Sequence, residues 1–274
     1  MQRIVTCRAA YLFSIKMNVK ELFSLKDKVV LVTGGSGNYG GCIVEALAEA
    51  GATVITTSRD LKRAQTTAQT FQERGLDVDA MCVDQDNIAS MLALKEEIIN
   101  RYGHLHGFVN NAVSRPVKGY RDTIEQFDRS MLSNATGMFF LLRELTDLIV
   151  LSGGGSVVNI ASMMGMKGPD LSNYEGTDMG DLPPDYFFHN AGLINLSRYM
   201  VKVFAGKNVR FNCISPGGLY NNQPAQFVIN YCRKVPLGRM ANKDDIKGLV
   251  VLLLSKAGEY INGENILLDG GLNA

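Results

Sequence analysis

The chain carries almost no net charge: across 274 residues, 28 lysines and arginines stand against 27 aspartates and glutamates, a formal +1 at pH 7. Its basic residues form no stripe that would track a phosphate backbone, so nucleic acid is not an expected partner. Long apolar runs are missing as well. The longest strongly apolar run, Leu249 to Leu254, falls far short of the roughly 20 residues that a membrane-spanning helix needs. No membrane association is expected, and a cytoplasmic location follows. Cysteine is sparse: Cys7, Cys42, Cys82, Cys213 and Cys232 are scattered and odd in number, without a C-x-x-C pair. This pattern excludes a disulfide framework and a zinc site, leaving buried, reduced thiols and no metal as the expectation. No repeat and no low-complexity tract interrupts the chain.

What is present is ordinary globular composition, 46% hydrophobic and 20% charged, in a length that one layered α/β core accommodates. A single domain is expected over residues 25–274, preceded by a loosely ordered tail over 1–24. The tail holds Arg3 and Arg8, and its apolar stretch Ala9 to Phe13 is too short for a secretory signal. Because Met17 stands just before the ordered pattern, an upstream start is the favoured reading and a weak organellar presequence the alternative.

From Lys28 onward, short β-branched runs alternate with longer amphipathic stretches, the pattern of βαβ units around a parallel sheet buried on both faces. Strands are expected at Val29–Thr33, Thr53–Thr57, Asp79–Val83, Gly107–Asn110, Ser156–Ile160, Arg210–Ile214 and Asn265–Leu268. Helices are expected at Tyr39–Ala50, Leu61–Arg74, Ile88–Tyr102, Ile124–Leu151, Tyr186–Ala205 and Lys243–Leu254. The fold class is therefore α/β, a Rossmann-type doubly wound sheet of seven strands in three layers. One long irregular segment, Gly165 to Asp185, is expected to lie over a site.

The first strand runs into Thr33-Gly34-Gly35-Ser36-Gly37-Asn38-Tyr39-Gly40, and a helix follows. Glycines let the backbone turn sharply and approach a pyrophosphate, while the helix start offers unpaired N–H groups and a positive dipole end. Alone, such a turn is also a plain tight connection. Its position after strand one makes it a dinucleotide cradle, with Gly34, Ser36, Gly37, Asn38, Tyr39 and Gly40 as the contacts. The second strand ends in Ser58-Arg59 rather than in a carboxylate, and an arginine there complements the 2′-phosphate of NADP. NADP(H) is the favoured cofactor and NAD the alternative; the bland reading of Arg59 is an exposed residue starting a helix.

This loop resembles the T-G-x-x-x-G-x-G turn of the short-chain dehydrogenase/reductases at Thr33, Gly34 and Gly40, with Asn38 in place of the middle glycine. Asparagine tolerates left-handed backbone better than most residues, although its side chain would crowd the cofactor. The resemblance continues at Asn110-Asn111-Ala112-Val113, where a family N-N-A-G turn has valine for glycine, and implies cofactor contacts from Asp84, Asn111 and the Pro216-Gly217 turn. Asn221 stands where relatives keep a threonine. Asn159 to Gly165 resembles the catalytic serine segment, which implies Ser162. Ser133 to Gly137 resembles the asparagine segment, which implies Asn134. Ala191 to Ser197 aligns with the helix following Y-x-x-x-K, which makes Tyr186 the proton-transfer tyrosine.

The lysine is absent. The pentad reads Tyr186-Phe187-Phe188-His189-Asn190, and no tyrosine in the chain is followed four residues later by lysine. Residues i and i+4 share a helix face, so Asn190 stands where a cation would reach both phenol and ribose. At 4 Å and an effective dielectric of 20 that cation is worth about 4 kcal/mol, roughly three pKa units for a free phenol. General acid–base help is typically worth about 10² to 10⁴ in rate. Reduction suffers less than oxidation, because a donor tyrosine need not be ionised beforehand. His189 would be a substitute cation only across an angular offset of about 100°. His104 and His106 read as surface residues in a turn.

Two further stretches, Pro236 to Met240 and Tyr260 through Gly271, resemble family segments, so the likeness spans Leu25 to Ala274. Tyr174-Glu175-Gly176-Thr177 with Pro183-Pro184-Asp185-Tyr186 resembles oxidoreductases of flagellin modification and nonulosonic acid synthesis, which implies a sugar-like small-molecule substrate. Asp170, Glu175, Asp178, Asp181 and Asp185 outnumber Lys167 in that segment, which suits hydroxyl-rich ligands. The resemblance also implies a homodimer or homotetramer. Two functions stand open: an oxidoreductase with an impaired site, or a non-catalytic dinucleotide-binding partner subunit.

Overall fold

The computed structural model describes residues 17–274; Arg3, Cys7, Arg8 and the stretch Ala9 to Phe13 lie outside the described residues. Seven strands form one sheet: β1 (Val29–Thr33), β2 (Thr53–Ser58), β3 (Val78–Cys82), β4 (Gly107–Asn110), β5 (Gly155–Ile160), β6 (Val209–Pro216) and β7 (Asn265–Leu268). All neighbours are parallel, in the order β3-β2-β1-β4-β5-β6-β7. The expected doubly wound α/β sheet is what forms, with strand ends displaced by a residue or two. The order reverses between β1 and β4, and a crevice at such a switch point is where open α/β sheets bind ligands.

Strand alternation splits the core in two. Val29 and Leu31 of β1 face one cluster, with Phe108, Val157 and Phe211 from the neighbouring strands. Val30 and Val32 face the other, with Val54, Val109, Val158 and Ile214. This is the period of two that a pleated strand imposes. The first cluster is covered by α4 (Ile88–Tyr102), α6 (Met138–Leu151) and α7 (Pro184–Val203); the second by α2 (Asn38–Glu49), α3 (Leu61–Gln72) and α9 (Lys247–Leu254).

Several expectations need correction. The tail is not loose up to residue 24: α1 (Val19–Leu22) is closed by a capping box between Asn18 and Glu21, and Leu25 is buried. The rod expected over Ile124–Leu151 is α5 (Ile124–Met131) and α6 joined by a π-helical segment, Leu132–Gly137. π segments interrupt helices mostly at functional sites. The helix expected from Lys243 opens as a 3-10 turn, Lys243–Ile246, before α9. A helix not expected at all, α8 (Ala225–Cys232), packs Phe227 and Tyr231 against Met163 and Met240 in a third small cluster. Cysteines also depart from expectation: of the four described, Cys213 alone is buried and Cys82 is exposed, though none is paired. Among the described residues no helix is long and apolar enough to cross a membrane.

His106 is not a surface turn residue. It is half-buried, and its Nδ1 accepts the Val29 N–H at 3.1 Å, tying β1 to the turn before β4. Burial, helped by Lys28 and His104, pushes its pKa from 6.5 down to about 4. Between those values the unfolded chain binds the proton that the folded chain refuses, so stability falls as pH drops through that window. Melting temperature measured from pH 7 downward is expected to decline below about pH 6.5. His106→Gln, which keeps an acceptor and does not titrate, is expected to show a shallower decline; an unchanged slope would remove His106 from the account.

Candidate functional site

The turn after β1 is built by steric exclusion. Gly34 adopts φ +68°, and its N–H donates to the Thr57 carbonyl at 3.1 Å. An added Cβ on Gly40 would lie 2.1 Å from the Gly34 oxygen, and one on Gly35 1.9 Å from Thr56 Oγ1. Side chains larger than hydrogen are therefore shut out where the loop closes on itself. Asn38 raises no conformational problem: it is the first residue of α2, and the non-glycine residues with positive φ are Asp27, Asn208 and Asn222. Position 38 calls for no left-handed backbone, and Asn38 is exposed.

The start of α2 is chemically open. Asp60, Asn87 and Thr123 cap α3, α4 and α5 with side-chain oxygens, whereas Gly37 caps α2 with none. Uncapped N–H groups at a glycine turn are what a pyrophosphate takes up. The Tyr39 hydroxyl is buried there without a hydrogen-bond partner, and burial holds its phenol well above the ordinary value. An orphaned donor and an uncapped helix start both fit a bound dinucleotide.

The other residues expected from the sequence to contact a cofactor lie at the same carboxyl edge of the sheet. Arg59 is exposed just past β2 and enters no ion pair among the described residues, while Ser58 Oγ accepts the Asp60 N–H at 3.2 Å. Asp84 is half-buried past β3, its carboxylate accepting the Asp86 N–H at 3.1 Å. Asn111 acts as a brace: its Nδ2 donates to the carbonyls of Thr33 at 2.9 Å and Gly34 at 3.2 Å. Pro216 ends β6, and the Gly217 N–H donates to Leu268 O at 2.9 Å. The turn is pressed from outside by α8, whose Tyr231 hydroxyl accepts the Gly218 N–H at 2.6 Å.

Tyr186 lies in the first turn of α7, behind Pro184 at the helix start, where proline is tolerated because its missing N–H would be unpaired anyway. It lines a cavity of about 190 Å³ with Arg115, Val117, Met164, Leu182 and Asp185. The Arg115 guanidinium sits 5.0 Å from its ring centre, and the His189 ring meets it edge-on at 5.5 Å. Ser162 is buried, capping the 3-10 turn Met163–Gly165 through the Met164 N–H at 3.2 Å. That turn packs on α7 so closely that a Cβ on Gly165 would lie 2.7 Å from the Asn190 carbonyl carbon.

Asn134 sits in the π segment. It accepts the Ser114 N–H at 2.8 Å and donates to Ser114 O at 2.8 Å and to Ser130 Oγ at 3.0 Å. Asn190 is buried, and its Nδ2 donates to the Tyr186 carbonyl at 2.7 Å. An amide N–H is thus engaged by its own helix, one turn back. His189 is no substitute cation: burial pushes its pKa down to about 4, against the pull of Asp185, so it is neutral at pH 7.

The acidic residues of the irregular segment do not gather at the cavity. Asp170 is held by Lys234 at 2.7 Å, whose pull with that of Ser172 lowers its pKa to about 2; Asp181 packs beside Gly119; only Asp185 of the five reaches the lining. Sequence reasoning assigned no role to Arg115 or Tyr231, and took Asp185 only as one of five acidic residues in the irregular segment. An arginine two residues beyond the N-N-A-V turn was a signal of sorts, but the burial of Asp185 had none.

The loop predicts a sharp asymmetry between two glycines. Gly40→Ala, facing a 2.1 Å clash, is expected to weaken NADPH binding at least tenfold in a fluorescence titration, whereas Gly37→Ala, at 3.2 Å, is expected to change it little. Equal affinities in the two variants would show that the loop does not hold the dinucleotide as described.

A family model described as enoyl-(acyl carrier protein) reductase matches residues 38–273. The 3-oxoacyl-[acyl-carrier-protein] reductase FabG of Aquifex aeolicus is 29% identical over 259 residues, 90% of this chain and 98% of the relative. The 2-dehydro-3-deoxy-D-gluconate 5-dehydrogenase of Escherichia coli K12 is 28% identical over 257 residues, 91% of this chain and 96% of the relative. A solved short-chain dehydrogenase from Leptospira borgpetersenii, with bound NAD+, superposes with a TM-score of 0.79 at 30% identity, covering 95% of this chain and 97% of that one. The particular likeness to flagellin-modification oxidoreductases finds no support in these matches, which are to a carrier-protein reductase, a deoxy-gluconate dehydrogenase and a short-chain dehydrogenase. With the matched family model spanning most of the chain, the protein belongs to the short-chain dehydrogenase/reductase family.

Proposed function

We propose that the protein is a nicotinamide-dinucleotide-dependent oxidoreductase acting on a sugar-like, polyhydroxy carbonyl or alcohol, with NADP(H) favoured over NAD(H) and a weakened proton-transfer site. The carrying observation is the pairing of Tyr186, open to a cavity of about 190 Å³, with an Asn190 amide already bonded to the Tyr186 carbonyl. When bound, the dinucleotide supplies or takes the hydride. Tyr186 donates or accepts the hydroxyl proton, and Ser162 hydrogen-bonds the substrate oxygen. Asn134 keeps the π segment attached to the loop at Ser114. Asn190 brings no charge to the phenol, and an N–H of its amide is bonded to the Tyr186 carbonyl. The exposed apolar residues Ile124, Leu132 and Phe139 on the α5–α6 rod and Phe188, Tyr199 and Val203 on α7 support a homodimer or homotetramer in solution.

The same amide favours a second reading. A side chain without charge that turns back on its own helix suits a dinucleotide-binding partner subunit without turnover. Lysine at this position separates the two. With Asn190→Lys, kcat is expected to rise by about 10² or more, measured by NADPH consumption with a panel of keto sugars and sugar acids. A folded variant that binds NADPH and gains nothing would favour the non-catalytic reading.

Arg59 supports the cofactor preference, being exposed at the end of β2 with no ion-pair partner among the described residues. Arg59→Asp is expected to weaken NADPH binding by roughly tenfold to a hundredfold, about 1.4 to 2.8 kcal/mol, and to leave NADH binding unchanged or tighter. Equal loss for both cofactors, by calorimetry, would remove the preference.

A further inference from the structure

Among the described residues five arginines rest on an aromatic ring, and four of them are accounted for. Arg74, Arg101 and Arg143 each also hold a carboxylate, and Arg121 lies over its exposed neighbour Tyr120. Arg115 is different. It lines the cavity that Tyr186 lines, and its guanidinium sits 5.0 Å from the centre of the Tyr186 ring. The side chain is exposed and makes no ion pair or hydrogen bond among the described residues, while residues 1–16 hold no aspartate or glutamate. Its backbone is fixed from both sides. Asn134 takes both backbone groups of Ser114, Lys118 Nζ donates to the Arg115 carbonyl at 3.1 Å, and Pro116 restricts the residue before it to extended backbone. A cation carried on a fixed backbone loses less entropy when it takes a ligand.

A guanidinium stacked by its face keeps its edge N–H groups open, in a fork that matches a carboxylate. It is permanently charged and has no acceptor, so its choice of ligand does not turn on a protonation state. Apart from Arg115, Asp185 and the two tyrosines Tyr174 and Tyr186, the cavity wall is apolar. Asp185 is 2% exposed, and its carboxylate accepts the Ser130 hydroxyl. The accessible charge of the wall is therefore positive. No acidic shell stands against an anion, because Asp170 is held by Lys234 and the other acids of the irregular segment lie off the wall. An apolar surround also raises the worth of an ion pair above what it has in open water. A neutral sugar leaves the guanidinium without a partner, whereas a carboxylate satisfies it. A phosphate dianion would keep one charge unmet, since no lysine and no second arginine lines the cavity. We infer that Arg115 anchors a substrate carboxylate, so that the site takes a keto or hydroxy acid of the sugar series rather than a neutral sugar.

This rests on the proposed oxidoreductase reading of the Tyr186 site and narrows its substrate class. Two pairs of compounds differ only by a carboxylate against a hydroxymethyl group: 2-keto-D-gluconate with D-fructose, and 5-keto-D-gluconate with L-sorbose. The test measures kcat and KM for each with NADPH, and affinity by calorimetry on the protein saturated with NADP+, where the ketone is not reduced. Fructose 6-phosphate serves as the phosphate arm. The wild type is expected to prefer the acid of at least one pair by about tenfold or more, in affinity and in kcat/KM, through KM rather than kcat. Arg115→Gln is expected to bring that ratio close to one. Arg115→Lys, which keeps the charge without the fork, is expected to restore part of it, and Arg121→Gln to leave it intact. Equal affinity within both pairs, a ratio that Arg115→Gln does not lower, or a preference for fructose 6-phosphate over both acids would overturn the inference. So would failure of the NADP+-saturated protein to bind any of the five compounds. In each case reduction of any ketone would leave the oxidoreductase reading standing. Keto acids bound in preference but never reduced would instead sink that reading and keep the anchor.

Discussion

The crevice depends on one clasp between two loops. Thr33 Oγ1 accepts the backbone N–H of Asn111 at 3.0 Å and of Ala112 at 3.1 Å, while Asn111 returns its side-chain amide to the Thr33 and Gly34 carbonyls. β1 and β4 are neighbours in space but 78 residues apart in the chain along this bond. Their connections part there, one into α2 and one toward Ser114, at the switch point where open α/β sheets form a crevice. The clasp satisfies the backbone groups that this divergence would orphan, and it sets the orientation of the glycine turn. Everything chemical in the molecule is arranged around the opening it maintains.

How much of this was readable follows from the range of the interactions involved. The strands and most helices were legible because alternation and glycine stops are local, and the glycine turn after β1 because only glycine fits positions such as 40. That no tyrosine is followed four residues later by lysine can be read from the sequence alone, because i and i+4 is a fixed helical distance. What was hidden lies in contacts across the chain. The π segment at Leu132–Gly137 has no composition of its own; it forms where the rod must present Asn134 to Ser114 and Ser133 to Asp86. α8 was hidden because Ala225 to Cys232 is short, and its burial comes from the third cluster around Met163 and Met240. His106 looked like a turn residue because its partner, the Val29 N–H, is 77 positions away. The acidic segment misled for the same reason: counting charges in a stretch says nothing about Lys234, which neutralises Asp170 from another element.

Asn190 and Asp185 show how sequence position and surroundings divide the work. A lysine at position 190 would place a charge on the phenol; an asparagine is short enough to turn back and satisfy a backbone carbonyl, as Ser197 does with Leu193 on the same helix at 2.9 Å. Such back-bonding removes a polar group from play without leaving it unpaired. Asp185 cannot do this. At the first turn of α7 the helix offers N–H donors rather than carbonyls, and the preceding prolines remove two of the nearest donors. Its carboxylate therefore reaches sideways to Ser130 and leaves its second oxygen open.

The two stripes of α7 are consequently opposite in kind although they differ by a single residue of register. The 186–190 stripe is closed by its own hydrogen bond, and the 185–189 stripe, rotated by about 100°, is open at both ends. A short-chain dehydrogenase/reductase helix normally concentrates its charge on the first stripe, in line with the phenol. Here a buried polar pair, Asp185 and His189, lies one residue round the helix, and Asp185 borders the cavity that Tyr186 lines. The tyrosine itself has the Arg115 guanidinium and the edge of a neutral imidazole for company.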